Sequence, residues 1–180
     1  MLTLIDNKKW TILEFFLVNP TIEIHLRALS RKLQISATWI SKAVAGFEKS
    51  GFIISKKDQE SRLIRFRANQ DNLNFKRLKI SYNFYSLHQS GLLDCLIESY
   101  SKPETIVLIG SYRRGEDDEK SDIDIAVITS KNHNGNYSKF EKKLKRKIKI
   151  LELKKSKVEK EFMNTLANGM VMYGYLDIRR

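Results

Sequence analysis

Apolar side chains recur at helical spacing through the first fifty residues. Between Asn7 and Val18, Trp10, Leu13, Phe16 and Leu17 fall on one face, and Asn19-Pro20 ends the segment. Leu26, Leu29 and Leu33 space out a short second helix. Ser36 is placed to cap a third, which carries Trp39, Ile40, Val44 and Phe47 and stops at Ser50-Gly51. The pattern then turns β-prone, with runs at 52–55 and 62–66 joined by a polar loop at 56–61. Residues 72–99 return to helix with a break near Ser90-Gly91, and Lys102-Pro103 stops it. Two apolar runs, 105–109 and 123–128, predict strands on either side of a Gly-containing polar stretch. A polar loop (130–136), a short basic helix (137–146), a third strand (147–153), a helix (158–168) and a last strand (170–178) follow.

At 180 residues the chain can bury one good core or two small ones. Charge narrows the choice of partner. Lys plus Arg number 33 against 21 Asp plus Glu, for a net +12. Residues 1–70 hold 12 basic and 6 acidic side chains, hence +6, and the remaining 21 and 15 again give +6, so the excess is no basic tail. Such a balance favours a polyanion, nucleic acid first, with a solvated lysine-rich surface as the plainer alternative. The single cysteine, Cys95, excludes an internal disulfide and a multi-cysteine metal site. No run approaches ~18 apolar residues and no basic-then-apolar leader opens the chain, so no membrane partner is expected and the compartment is read as cytoplasmic.

Three helices followed by a hairpin is the order of a winged helix-turn-helix. The run from Ala28-Leu-Ser-Arg-Lys-Leu33 through Ser36 to Glu48-Lys-Ser-Gly-Phe-Ile53 resembles that superfamily. The resemblance implies that the third helix enters a DNA major groove, with Ser36, Thr38 and Lys42 against bases or phosphates. Lys56, Lys57 and Arg62 on the wing would meet phosphates. The alternative use of the same fold is dimerisation or protein contact.

Residues 110–124, Gly-Ser-Tyr-Arg-Arg-Gly-Glu-Asp-Asp-Glu-Lys-Ser-Asp-Ile-Asp, carry the chemistry. A strand that ends in Gly-Ser exposes backbone N–H groups and a hydroxyl to phosphate oxygens. A strand that opens with Asp-x-Asp sends both carboxylates to one face, ~7 Å apart at ~3.3 Å per residue. Together they meet the needs of metal-dependent phosphoryl or nucleotidyl transfer.

Gly110-Ser-Tyr-Arg-Arg-Gly115, five further residues and Ser121-Asp-Ile-Asp-Ile-Ala-Val127 resemble the minimal nucleotidyltransferases of the DNA polymerase β superfamily. The likeness runs to Leu166-Ala-Asn-Gly-Met-Val-Met-Tyr-Gly-Tyr175. It implies that Asp122 and Asp124 hold Mg²⁺ with an NTP (ATP the first choice) and that Gly110, Ser111 and Arg114 receive the phosphates. Ser121 belongs to the same nucleotide site or braces its turn. In the family a third carboxylate comes from the next strand. Glu152 is the only acid in residues 147–153 and is assigned as the third catalytic and metal ligand, with a solvent-facing Glu as the alternative. Arg114 has an alternative too, an exposed pair with Glu116 or Asp117, and the acidic run 116–119 is read as a solvated loop.

The expected fold is α+β: a winged helix-turn-helix (1–70), connecting helices (71–103) and a nucleotidyltransferase domain (104–180) whose mixed sheet is flanked by helices. The leading expectation is an enzyme moving NMP, AMP first, from Mg·NTP to an acceptor hydroxyl. A protein partner as nucleotidylation target is a family implication, and a homodimer is allowed. The rival is a DNA-binding regulator or antitoxin-type protein that binds nucleotide without turnover. An RNA-end-modifying enzyme is a third possibility, favoured by the basic surface but lacking any recognisable RNA motif.

Overall fold

The computed structural model describes residues 7–58 and 63–177. The chain divides into two units between Lys79 and Ile80, inside a helix that the sequence reading assigned to the connecting segment.

The first unit is a winged helix-turn-helix. Its helices are α1 (Asn7–Val18), α2 (Leu26–Leu33) and α3 (Ala37–Lys49), and its strands are β1 (Ile24–His25), β2 (Ile53–Lys57) and β3 (Ile64–Ala68). Phe16, Leu17, Leu29, Ile40 and Ile53 are buried almost completely, at the apolar spacings read from the sequence, and so is Ile12, which that reading did not name. Ser36 caps α3 by accepting from the Trp39 amide at 3.4 Å. At α2 the cap is His25, whose Nδ1 accepts from the Ala28 amide at 3.1 Å.

All pairing in this sheet is antiparallel, in the order β1-β3-β2. Two features escaped the sequence reading. β1 is only two residues long, too short for any alternation to register. Lys56 and Lys57, read as loop residues, extend β2 opposite Arg65 and Ile64 because β3 supplies their hydrogen-bond partners. Arg62 lies outside the described residues.

In the second unit, Gly91, at φ +81, separates the end of α4 (Leu73–Ser90) from α5 (Leu92–Ser99). Then come β4 (Thr105–Ile109), α6 (Gly110–Arg114), β5 (Ile123–Ile128), α7 (Ser138–Leu144), β6 (Ile148–Leu153), a 3₁₀ turn, α8 (Lys160–Ala167) and β7 (Met170–Gly174). The last strand is shorter than the expected 170–178.

The sheet order is β6-β5-β4-β7, antiparallel except for the parallel pair β5–β6, so the expected mixed sheet is present. Every residue of β4 is buried, as is every residue of β5 except Asp124. Such runs mark central strands covered on both faces. One face (Ile106, Leu108, Ile123, Ile125, Val127, with Ile148 and Ile150) packs on α5, Tyr112 and Phe140 of α7. The other (Val107, Ile109, Ala126, Ile128, with Leu151 and Leu153) packs on Val158 and on Phe162, Met163 and Leu166 of α8.

Candidate functional site

β4 delivers the chain to Gly110 at the strand's end, and its antiparallel register puts Ile109 beside Asp124 on β5. Gly110 has φ +76, and a Cβ there would sit 2.5 Å from Asp124 Oδ2. Only glycine meets both demands, the left-handed backbone and the close approach to a carboxylate. The five-residue α6 that follows ends at Gly115, again left-handed at φ +66.

The loop between α6 and β5 is built from inside. Asp118 Oδ1 accepts from the Lys120 and Ser121 amides and from Ser121 Oγ, each at 2.9 Å, and Ser121 Oγ accepts from the Asp118 amide at 3.0 Å. These bonds hold the Asp118 carboxyl below its ordinary range, the Lys120 amide contributing most. Ser121 is therefore the brace of the turn, one of its two anticipated roles.

Asp117, expected in solvent, is buried. Its side chain (1% exposed) meets Arg146 (4% exposed) at 3.3 Å and accepts from Asn83 Nδ2 at 2.7 Å, while Asn83 also reaches the Tyr112 carbonyl. The loop is thus pinned to the residue just before Lys147 and β6. Nothing in the acidic run distinguished Asp117 from its neighbours.

Asp122 and Asp124 emerge on the α8 side of the sheet. The β5–β6 register sets Lys149 beside Asp124, Leu151 beside Ala126, and Glu152 beside Val127. Glu152 consequently points to the opposite face and lies three residues farther along, ~10 Å at strand rise. Its Oε1 accepts from Tyr100 Oη and from the His133 amide, both at 2.7 Å. The assignment of Glu152 to a metal site with the two aspartates is corrected by this register.

In its stead stands Lys149, whose Nζ lies 2.6 Å from Asp122 Oδ2. The hydrogen bond to Asp122, then the charges of Asp122 and Asp124, hold that ammonium above the ordinary lysine range. Lys149 shares the odd-numbered parity of Leu151 and Leu153, but the sequence did not say which parity faced the aspartates.

Arg114 pairs with Glu116 at 2.6 Å, both about half exposed, the alternative foreseen for it. Beside Gly110 is a cavity of about 290 Å³ lined by Ile109, Arg113, Arg114, Asn164, Thr165 and Asn168. α8 thus contributes polar side chains to the glycine end of the site, residues that no motif singled out. Ser111 is half-buried at the start of α6.

Two carboxylates on one strand face beside a glycine turn fit one Mg²⁺ together with a triphosphate. Among the described residues no group of three His, Cys, Asp or Glu could hold a metal.

In the first unit, Ser36, Thr38 and Lys42 are exposed along α3, with Ser41, Ala45 and Gly46 between and beyond them, and Lys56 and Lys57 are exposed on β2. Trp39 is partly buried, with Lys8 Nζ 6.0 Å from its ring. Among the described residues no helix is long and apolar enough to cross a membrane.

Residues 93–175 match the family model described as "Polymerase beta, Nucleotidyltransferase". No curated protein matches the chain. Two crystal structures of the adhesin competence repressor (AdcR) from Streptococcus pyogenes are similar to it. One has a TM-score of 0.41 at 15% identity over 54% of this chain and 67% of that one. The other, C-terminally His-tagged, has a TM-score of 0.37 at 16% identity over 53% and 67%.

Proposed function

We propose, for a chain whose residues 93–175 belong to the polymerase β nucleotidyltransferase family, that it is a DNA-binding protein whose second unit binds Mg·NTP without efficient turnover. The observation that carries this is Lys149, its Nζ 2.6 Å from Asp122 Oδ2, at the strand position facing the aspartates. Nucleotidyl transfer in this family takes a third carboxylate there. An ammonium there repels a second cation and, while charged, cannot accept the acceptor's proton.

Asp122 and Asp124 would hold one Mg²⁺, which when bound neutralises part of the triphosphate charge. Gly110 permits close backbone approach, and Ser111, Arg113 and Arg114 offer donors and positive charge to phosphate oxygens. Lys149 adds a cation to the same cluster. Asn164, Thr165 and Asn168 line the cavity beside Gly110 and offer polar contacts to a ribose or base. For the first unit, the exposed Ser36, Thr38, Lys42, Lys56 and Lys57 support groove and phosphate contacts.

The test pairs calorimetry with label transfer. Mg·ATP is expected to bind the full chain, to need the metal, and to weaken about tenfold or more in Asp122→Asn and Asp124→Asn. α-Labelled NTPs incubated with the protein and cell extract should label nothing. Lys149→Asp, which places a third acid beside the pair, should allow transfer. Labelling by the wild-type chain would instead establish the second reading, NMP transfer to an acceptor hydroxyl, which the family match favours.

A further inference from the structure

Four residues along β5 from Asp124, ~13 Å at strand rise, the sheet ends in a cavity of about 740 Å³. It lies within the size range of small-molecule sites, ~300–1,000 Å³. Lys102, Lys131, Lys154 and Lys155 line it, with hydroxyls from Ser101, Thr129, Ser130 and Ser156. Its one acid, Glu104, is taken by Lys155 at 2.7 Å. Lys102, Lys131 and Lys154 have no ion pair among the described residues, which leaves three uncompensated ammonium groups around one concavity.

The walls are held in place by bonds that the nucleotide site does not use. Ser101 and Lys102 are both left-handed, at φ +52 and +62, a conformation that costs non-glycine residues free energy. They are kept there by closure of α5, the Ser101 amide donating to Glu98 O and the Lys102 amide to Ile97 O. Glu152, which does not itself line this cavity, accepts from the His133 amide and from Tyr100 Oη, tying the 130–136 loop to the end of α5. Burial and the adjoining carboxylate push the Tyr100 hydroxyl far above its ordinary range, so it remains a donor. A second hollow of about 290 Å³, lined by Thr129, Asn132, Glu152, Leu153 and Lys154, adjoins this brace.

We infer that this cavity is a second ligand site, selective for a phosphorylated compound of nucleotide size. Lys102, Lys131 and Lys154 meet its charge, the Thr129 and Ser130 hydroxyls bond its oxygens, and Glu152 acts as a positioning residue. Multiple ammonium and hydroxyl donors with no free acid suit tetrahedral oxyanions.

The test uses the full chain carrying Asp122→Asn and Asp124→Asn, without Mg²⁺, so that the first site is silent. Inorganic tripolyphosphate should bind one-to-one and about tenfold or more tighter than citrate. Lys131→Ala and Lys154→Ala, both at exposed positions, should each weaken it several-fold. Glu152→Ala should weaken it as well, and Glu152→Gln, which keeps a carbonyl acceptor, should restore it. In the otherwise wild-type chain these lysine variants should leave the Mg²⁺-dependent part of ATP binding, the part lost in Asp122→Asn, unchanged. AMP and a 5′-phosphorylated trinucleotide separate the sources, the tighter of the two showing whether the phosphate arrives free or at a nucleic-acid end. Equal affinity for citrate and tripolyphosphate, or indifference to all three lysines (Lys102→Ala included), overturns the inference whatever the first site does.

Discussion

An ammonium 2.6 Å from Asp122 acts on the site in two opposed ways. It relieves repulsion between two carboxylates on one strand face, and it competes with any cation those carboxylates would hold. Lys149→Met should therefore bind Mg²⁺ more tightly than wild type at low ionic strength, by a margin that shrinks as salt screens the exposed pair; calorimetric titration at two salt concentrations measures it. The pH dependence follows from the direction of the Lys149 shift. A pKa raised in the folded chain contributes stability that is present below the unfolded value and lost as pH rises through the folded value. Between about pH 6 and 9 the lysine stays charged, so Mg·NTP affinity should be flat there; a rise toward pH 9 would mean that the ammonium is being lost. Asp117 argues a different cost. Its removal takes the carboxylate at 3.3 Å from Arg146, which is 4% exposed on its side chain. Asp117→Ala should destabilise the chain by about 3–5 kcal/mol, as for a broken buried pair, measurable as a lowered urea midpoint. Asp118→Asn, in the more open half of the loop, should cost far less.

At the scale of elements, the glycine turn and the strand faces decide the site. Gly110→Ala forces a Cβ into the left-handed region and against Asp124 Oδ2 at 2.5 Å. A loss of about 1–3 kcal/mol is expected from the backbone alone, with Mg·NTP binding falling further because Asp124 must move. Thermal unfolding and calorimetry on one variant separate the two effects. Most elements were legible in the sequence because their apolar spacing was clean: the three first-unit helices, the break at Gly91, and the strands around Gly110 to Asp124. Glu152 was not, and the reason is physical. Residues 148–153 are apolar on both faces, Ile148 and Ile150 on one and Leu151 and Leu153 on the other. Period-two alternation fixes parity, but only the parallel register with β5 fixes which parity meets the aspartates. Lys56 and Lys57 failed likewise, since two lysines read as loop until β3 supplies a partner strand.

For the molecule as a whole, a net +12 divided equally between residues 1–70 and the remainder favours a polyanion partner, but does not say where it would be met. Charge total is blind to position; exposure on a reading helix is not. If the first unit carries DNA binding, the lysines on α3 and β2 should govern the salt dependence, since each phosphate neutralised adds about −0.9 to the slope of log Kobs against log salt for B-DNA. Lys42→Ala, Lys56→Ala and Lys57→Ala should each flatten that slope by up to about 0.9 on any duplex. Thr38→Ala should leave it unchanged and lower affinity only for a preferred sequence, if one is selected from a random pool. Lys131→Ala and Lys154→Ala are equally basic changes made in the second unit, and they serve as the control. Should they flatten the slope as much as Lys42→Ala, the polyanion is being gripped by diffuse charge over both units. Fluorescence anisotropy of a labelled duplex across a range of salt decides between the two, and repeating it with Mg·ATP present reports whether nucleotide occupancy alters DNA affinity.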